Sequence, residues 1–124
     1  MTCILDITLL ELPPTINHYY RTGRTVRYKT AEGKAFQAQA AAVMNTFRKN
    51  DVPYAGPVAL HIIMTTKTRR KWDLDNRVKA VQDCLALAGV IEDDNQIDEL
   101  VVRRESFPKL DRTRVIVMTR EGRT

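Results

Sequence analysis

Short apolar runs and one longer helical repeat divide the first half of the chain into three elements. Residues 3–12 and 57–66 are apolar runs next to proline, which predicts two β-strands. Between them, Thr30 is a suitable N-cap and Glu32 a favourable first-turn acid for a helix that runs to about Lys49. Its apolar stripe, with spacings of four, three and four, is Phe36, Ala40, Val43 and Phe47.

The second half of the chain predicts one more helix and two more strands. The helix covers about residues 74–88 and ends at Gly89, because glycine adopts a positive φ without penalty. Its core face is Leu74, Val78, Val81, Leu85 and Ala88. An acidic turn at 92–95 leads to strands at about 97–107 and 112–119. The order β-α-β-α-β-β predicts an α/β (α+β) fold, in which two main helices pack on a mixed sheet of about four strands.

Length and composition favour a single domain over residues 1–124, with a basic loop at 15–29 and a short tail at 120–124. The 124 residues are 44% hydrophobic and 28% charged, as in ordinary globular proteins. No apolar run approaches the roughly 18 residues of a membrane span. The first residues include Asp6 and lack the basic region of a secretory signal. We therefore expect a cytoplasmic protein with no membrane partner, in which Cys3 and Cys84 are reduced, buried thiols.

The net charge of +5 conceals a strong asymmetry along the chain. Residues 73–99 carry eight acids and two bases, a net charge of −6, whereas the rest carries eighteen bases and seven acids, a net charge of +11. A basic body around an acidic island is typical of a protein that brings a polyanion to a carboxylate-lined site. A solvated surface without such a role has the same composition, so charge alone leaves both interpretations open.

The basic residues that could contact such a polyanion fall into two clusters. The loop cluster is Arg21, Arg24, Arg27 and Lys29, and the cluster after the second strand is Lys67, Arg69, Arg70 and Lys71. Contacts from these side chains to phosphates would position a DNA duplex without reading its sequence. The clusters are therefore candidate DNA-binding residues.

The most informative acidic residues lie where an extended stretch becomes the second helix. Asp73 and Asp75 stand two residues apart, so in extended geometry both carboxylates face one point. Mg²⁺ is usually held by one or two carboxylates together with water and phosphate oxygens, and a third carboxylate from 93–94 completes a site if that turn folds back. A helix cap, an ordinary ion pair between Asp75 and Lys79 and a solvated turn explain the same residues without any chemistry.

Four motif segments occur in order along about residues 3–118. They are Pro13-Pro14-Thr15-x-Asn17-x-Tyr19-Tyr20-Arg21, Thr30-Ala31-Glu32-Gly33, Asp73-x-Asp75-Asn76-x-x-Lys79-Ala80-x-x-Asp83-x-Leu85, and Gly89 followed by Asp93-Asp94-x-Gln96. Together they resemble the RusA family of Holliday junction resolvases. One departure is Trp72, where the family pattern would have arginine or proline. A tryptophan there either stacks on an unpaired base or packs under the loop, and we favour packing.

The resemblance implies a homodimeric endonuclease that binds four-way DNA junctions and makes paired nicks across the crossover in recombination and repair. It implies Mg²⁺ as cofactor, with Mn²⁺ able to replace it, and no small organic cofactor. The family's catalytic, metal-binding aspartates match Asp73, Asp75 and Asp94, and its catalytic lysine matches Lys79. Asp93 is held as the alternative to its neighbour Asp94. Members are often encoded by phages or prophages, which is the expectation for this chain also.

Two functions of other classes stay open at this point. A non-catalytic architectural protein would bind branched DNA through the basic surface and use its aspartates only as caps. A metal-dependent hydrolase of small phosphorylated molecules would use the acidic site, but such a substrate needs one or two cations and not two clusters.

Overall fold

The computed structural model describes residues 1–16, 20–22, 27–68 and 72–120, and for residues 20–22 and 27–28 the backbone alone. Six strands and two α-helices lie in these ranges, together with two short 3₁₀ turns. They are β1 (Cys3–Leu9), β2 (Tyr20–Thr22), β3 (Arg27–Lys29), α1 (Ala31–Phe47), β4 (Val58–Thr65), the turn Asp75–Arg77, α2 (Val78–Leu87), the turn Asp94–Gln96, β5 (Ile97–Arg104) and β6 (Arg112–Thr119).

Four strands form one mixed sheet in the order β1-β6-β4-β5. The strand β6 is antiparallel to both of its neighbours, whereas β4 and β5 are parallel. Parallel neighbours require a crossover connection, and here that connection contains α2. The predicted α+β fold, with a mixed four-stranded sheet and two helices, is confirmed.

The hydrophobic core lies between one face of this sheet and the two helices. Alternate residues of the central strand β4 are completely buried, as expected for side chains that all point to one face. These residues are Val58, Leu60, Ile62 and Met64. They join one cluster with apolar residues of β1, β6, α1 and α2. No helix in the described ranges is long and apolar enough to cross a membrane.

Helix α1 begins as predicted but buries a different face. The hydroxyl of Thr30 accepts a hydrogen bond from the Gly33 amide at 2.9 Å, so Thr30 is the N-cap. The predicted stripe was wrong at its C-terminal end, because Phe47 is 61% exposed. The buried residues are Gly33, Phe36, Ala40, Ala41 and Met44. Phe36 and Ala40 are common to both sets and Val43 is partly buried, so the buried face is the predicted one rotated by roughly 50°, at 100° per residue, towards Ala41 and Met44.

Helix α2 ends in a turn that sends the chain back along the helix. The Val90 amide donates to the Leu85 carbonyl at 3.0 Å, and the Gly89 amide donates to Ala86 at 3.2 Å. This pair of bonds is a Schellman motif, which places the residue after the cap in the left-handed region. Gly89 occupies that position with φ 77°, which confirms the prediction for this glycine. Val90 then enters the core, and the acidic turn follows beside α2.

The structure corrects the ends of three predicted elements and adds a hairpin. β1 ends at Leu9 and β5 at Arg104, each three residues before the predicted end. The first turn of the predicted second helix is 3₁₀ from Asp75 to Arg77. Within the predicted loop 15–29, β2 and β3 pair as a short antiparallel hairpin. Three-residue strands in a polar stretch have no hydrophobic alternation, so the sequence did not reveal them.

The two cysteines are both free, as predicted. Cys84 is buried in the core, and burial raises the pKa of its thiol to about 12. Cys3 is only partly buried, so the prediction of a buried thiol was too strong there. The Sγ of Cys3, at the start of β1, is 3.3 Å from the Leu5 carbonyl oxygen. Because the raised pKa makes the Cys84 thiol a poor nucleophile, the role of Cys84 is to pack in the core.

The face of the sheet away from the helices carries a paired arginine and aspartate. Arg114 of β6 donates from Nε and Nη2 to the two carboxylate oxygens of Asp6 on β1, at 3.0 and 2.8 Å. These hydrogen bonds hold the pKa of Asp6 below its ordinary value. A bidentate pair of this kind fixes the register of two neighbouring strands more firmly than a single ion pair does.

The Asp6–Arg114 pair is expected to make part of the stability depend on pH. Because the pKa of Asp6 is lower in the folded state, its stabilising contribution is complete above about pH 4 and is lost as the pH falls through the lowered pKa. Asp6→Asn should therefore lower the urea midpoint at pH 7, while the difference from the wild type should shrink towards pH 2. An equal difference at both pH values would contradict this role for Asp6.

Candidate active site

The two candidate aspartates on the central motif lie at the surface, at the start of the 3₁₀ turn. Asp73 is exposed, and the side-chain amide of Asn76 donates to its Oδ2 at 3.3 Å. Asp75 opens the turn and is also exposed. Leu74, between them, packs against the core. Both carboxylates are exposed, but the extended geometry assumed for the pair was wrong, because Leu74 has helical backbone angles, φ −64° and ψ −47°. That Asp73 and Asp75 face one point therefore stays a prediction.

Arg77 anchors this motif to the first motif segment of the chain. Its Nη1 donates to the carbonyl oxygen of Pro13. Burial lowers the pKa of Arg77, and the charges of Asp111 and Glu32 act in the opposite direction. Since Pro13 belongs to the first motif segment, this hydrogen bond joins two segments that are 64 residues apart in the sequence.

Trp72 packs beneath the candidate site. Its side chain is partly buried against the core, and the guanidinium carbons of Arg77 and Arg104 lie 5.4 and 4.9 Å from the ring centroid. Cations at these distances from an indole ring are within cation–π range. The structure thus agrees with the packing interpretation of Trp72. These contacts hold Trp72, and with it the chain just before Asp73, in place.

Lys79 joins the helix to the acidic turn. Its ammonium nitrogen lies 3.0 Å from Oδ1 of Asp83, one turn along α2, and 3.1 Å from Oδ2 of Asp94. Hydrogen bonds first to Asp83 and then to Asp94 raise the pKa of Lys79, and burial opposes them. The lysine is therefore charged at neutral pH. The contact to Asp94 brings together two motif segments that are fifteen residues apart.

The neighbouring acids of the turn have different tasks. The Asp93 carboxylate caps the second 3₁₀ turn and accepts a hydrogen bond from the Asn95 amide at 2.9 Å. That hydrogen bond is the largest of the effects that lower the pKa of Asp93. The Asp94 carboxylate instead points to Lys79. The two carboxylates thus have different partners, and the choice of Asp94 over Asp93 as the site residue stays a prediction.

An open polar groove of about 360 Å³ lies beside this contact. Its walls come from the end of β3, from α1, from α2 and from the acidic turn. Residues that line it include Lys29, Gln37, Lys79, Gln82, Asp83 and both acids of the turn, Asp93 and Asp94. Lys29 donates to the Gln37 side-chain oxygen at 2.8 Å. The groove thus presents two lysines and several carboxylates at its walls, a combination suited to a phosphate group together with a cation.

The donor chemistry of the site fits a hard divalent cation, although one chain does not assemble a complete ligand set. Carboxylate oxygens of Asp73, Asp75 and Asp94 are the donors that Mg²⁺ prefers. Across the described ranges, however, no three histidine, cysteine or acidic side chains are grouped closely enough to hold a metal ion. Asp94 is engaged with Lys79, while Asp73 is engaged with Asn76. Convergence of the three aspartates therefore stays a prediction.

Most of the predicted DNA-binding side chains lie outside the described part of the structure. These are Arg21, Arg24, Arg27, Arg69, Arg70 and Lys71. Of the remaining two, Lys29 lines the groove, and Lys67 is exposed, with its backbone amide donating to Asp111 at 3.0 Å. Of the predicted DNA-binding residues whose side chains the structure describes, Lys29 thus lies at the same groove as Lys79 and Asp94.

Two residues at the site were not among the predicted site residues. Asp83 shares Lys79 with Asp94, and the i, i+4 spacing from Lys79 was the signal for it. Gln96 holds the acidic turn through its side-chain amide. Its sequence signals were its place in the last motif segment and the Asp93-x-x-Gln96 spacing of a capping box, which is formed here. Its contacts with Tyr54 and Gly56, about forty residues away, had no sequence signal.

Comparisons with known proteins agree with the four motif segments. The family model described as endodeoxyribonuclease RusA matches residues 11–120. The chain is 38% identical, over 88 residues, to the crossover junction endodeoxyribonuclease RusA of Escherichia coli (strain K12) and to that of Enterobacteria phage 82. The match covers 71% of this chain and 72% of each relative. The namesake from Escherichia coli O139:H28 is 35% identical over 95 residues, which are 76% of this chain and 78% of that protein. The chain belongs to the RusA family of endodeoxyribonucleases.

Proposed function

We propose that this protein is a structure-selective DNA endonuclease that resolves four-way junctions in recombination and repair. It would do so by Mg²⁺-dependent paired nicking across the crossover. The observation that carries the proposal is the contact of Lys79 with Asp94. This contact joins the acidic turn to the helix that follows Asp73 and Asp75, which supports a site shared by these two motif segments. The names of the curated relatives, crossover junction endodeoxyribonucleases, support the same activity.

Asp73, Asp75 and Asp94 are the residues that would hold the metal. All three carry the oxygen donors that Mg²⁺ requires, and water and phosphate oxygens of DNA would complete the coordination, as is usual for this ion. When bound, Mg²⁺ supplies an activated water and offsets the charge that develops on the scissile phosphate.

Lys79 acts mainly by holding Asp94. An ammonium group has three donors, and in the described structure two of them go to Asp83 and Asp94. The shared ammonium group holds the two carboxylates at the groove. One donor remains for a phosphate oxygen, so Lys79 can also touch the scissile strand once Asp94 is in place.

The basic residues would bind the arms of the junction, and a second copy of the chain would act on the opposite strand. Lys29 lines the same groove as Lys79 and would contact a DNA phosphate there. The other members of both basic clusters would bind phosphates further along the DNA backbone. A four-way junction has approximate twofold symmetry, so a homodimer with an isologous interface presents one site to each of two strands. Such a dimer would act in the cytoplasm.

A junction-nicking assay tests the proposal directly. Synthetic four-way junctions labelled on each strand in turn should be nicked symmetrically in the presence of Mg²⁺ or Mn²⁺, and nicking should stop in EDTA. A linear duplex of the same sequence serves as the control and should be cut far more slowly. Junction binding that ignores EDTA, without nicking in any metal, would show an architectural protein instead. Hydrolysis of small phosphate esters that junction DNA does not inhibit would show a small-molecule hydrolase.

A further inference from the structure

The side chain of Gln96 makes four hydrogen bonds in two directions. Its Oε1 accepts from the backbone amides of Glu92 and Asp93, both at 2.8 Å. Its Nε2 donates to the carbonyl oxygens of Tyr54 and Gly56, at 2.6 and 2.8 Å. Two amides on one side and two carbonyls on the other fix which end of the side chain is oxygen and which is nitrogen. A glutamine amide has two donors and two acceptor positions, so Gln96 uses its full capacity.

The carbonyl partners of Gln96 belong to a segment that is itself firmly held. The Tyr54 amide donates to the Val90 carbonyl at 3.1 Å, and Tyr54 forms a parallel β-bridge with Ile91. At Gly56 a Cβ atom would lie 2.8 Å from the Tyr54 hydroxyl, so the chain folds back closely on that ring. This segment leads directly into the central strand β4. Gln96 therefore ties the acidic turn to the segment that precedes the middle of the sheet.

The position of Asp94 depends on this tie. The residue before Asp94 is Asp93, whose amide donates to the Gln96 side chain, and Gln96 itself lies two residues after Asp94. The backbone of Asp94 is therefore held on both sides. The Asp93 carboxylate caps the turn only locally, through the Asn95 amide. Gln96 supplies a link from the turn to residues about forty positions earlier in the chain. That link sets where the Asp94 carboxylate stands relative to Lys79 on α2.

We infer that Gln96 is a positioning residue, which places the Asp94 carboxylate for metal binding through the backbone of the acidic turn. Gln96 itself touches neither the metal nor the DNA. The inference rests on the proposed function only for the identity of the bound metal and for the cutting rate. The hydrogen bonds of Gln96 and the placement of Asp94 stand independently of the reaction.

The test compares Mn²⁺ binding by the DNA-free protein in the wild type and in Gln96→Met, which keeps the length of the side chain and removes all four hydrogen bonds. Outer residues that orient metal ligands typically contribute 10- to 100-fold to affinity, so Mn²⁺ should bind about tenfold more weakly. Hydrogen exchange should become faster at the amides of Glu92 and Asp93, which lose their acceptor. Gln96→Glu keeps an acceptor oxygen for the amides of Glu92 and Asp93 and loses the donors to Tyr54 and Gly56, so exchange at those two amides should be slower than in Gln96→Met.

Thr65→Val is the matched control, because Thr65 donates to the Leu110 carbonyl at 2.6 Å and its loss destabilises the fold away from the acidic turn. It should leave the Mn²⁺ affinity unchanged even where the loss of thermal stability equals that of Gln96→Met. Wild-type Mn²⁺ affinity in both Gln96 variants, or wild-type amide exchange in Gln96→Met, would overturn the inference. Weaker Mn²⁺ binding in a protein that nicks no junction would uphold the role of Gln96 and reject the proposed function. A wild-type protein that binds no Mn²⁺ would overturn both.

Discussion

Replacing Asp73, Asp75 or Asp94 by asparagine is expected to abolish junction nicking while junction binding survives. Asparagine keeps the size of the side chain but removes the charge that would hold Mg²⁺. Metal ions contribute several kcal/mol to charge stabilisation in the transition state, so the single-turnover cutting rate should fall about 1000-fold or more. Junction affinity measured in EDTA should stay equal or rise slightly, because a negative charge beside the phosphates is lost.

Asp93→Asn is the matched control for this series, since asparagine is as good an N-cap as aspartate and the cap on the Asn95 amide is kept. It should cut within a few-fold of the wild-type rate. Equal losses of cutting rate in Asp93→Asn and Asp94→Asn would show that the different hydrogen-bond partners of the two carboxylates do not decide which of them acts in the site. Wild-type cutting by any one of the three main variants would remove that aspartate from the metal site.

Lys79→Met is expected to give the second largest effect, a fall of about 100-fold in the cutting rate. Without the ammonium group, Asp83 and Asp94 lose the cation that they share, and Asp94 is free to leave the groove. Removal of one preorganised charged group from a site typically costs between 100- and 1000-fold in rate. The measurement is single-turnover nicking at saturating junction and at several Mg²⁺ concentrations.

The salt dependence of junction binding separates the two ways in which Lys79 can act. If it mainly holds Asp94, Lys79→Met keeps both the affinity in EDTA and the slope of log K against log salt. If it mainly contacts a phosphate, the slope falls by about one unit. Lys49→Met removes an exposed lysine near β1, outside the groove, and serves as the control. Cutting by Lys79→Met at the rate of this control would exclude both roles.

The elements with strong hydrophobic patterns were predictable from the sequence because their pattern is local. The buried run of β4, the start of α1 at Thr30 and the glycine that ends α2 all follow from neighbouring residues. The orientation of α1 about its own axis was predicted wrongly at Phe47, since the choice of buried face depends on how close α2 can come. The hairpin of β2 and β3 was missed because three-residue strands carry too short a pattern.

For the site, the sequence identified the candidate residues, and the structure showed which of them are in contact. The spacing of Asp73 and Asp75 predicted an extended pair with both carboxylates facing one point, whereas the structure shows both exposed with helical backbone at Leu74 between them. The different partners of Asp93 and Asp94 could not be inferred, because adjacent carboxylates are chemically alike and only the Lys79 contact distinguishes them. The capping-box spacing indicated the local role of Gln96, but not its contacts with Tyr54 and Gly56.

By itself the amino-acid order determined the fold class, the family and the kinds of chemical group available, since these depend on short-range periodicity and on motifs that can be read along the chain. The tertiary structure alone decided which acid faces Lys79, which amide holds the acidic turn, and which side chains support Trp72. The Lys79–Asp94 contact joins residues 15 positions apart and the Gln96–Tyr54 contact residues 42 positions apart, and only folding against a common core fixes distances over such separations.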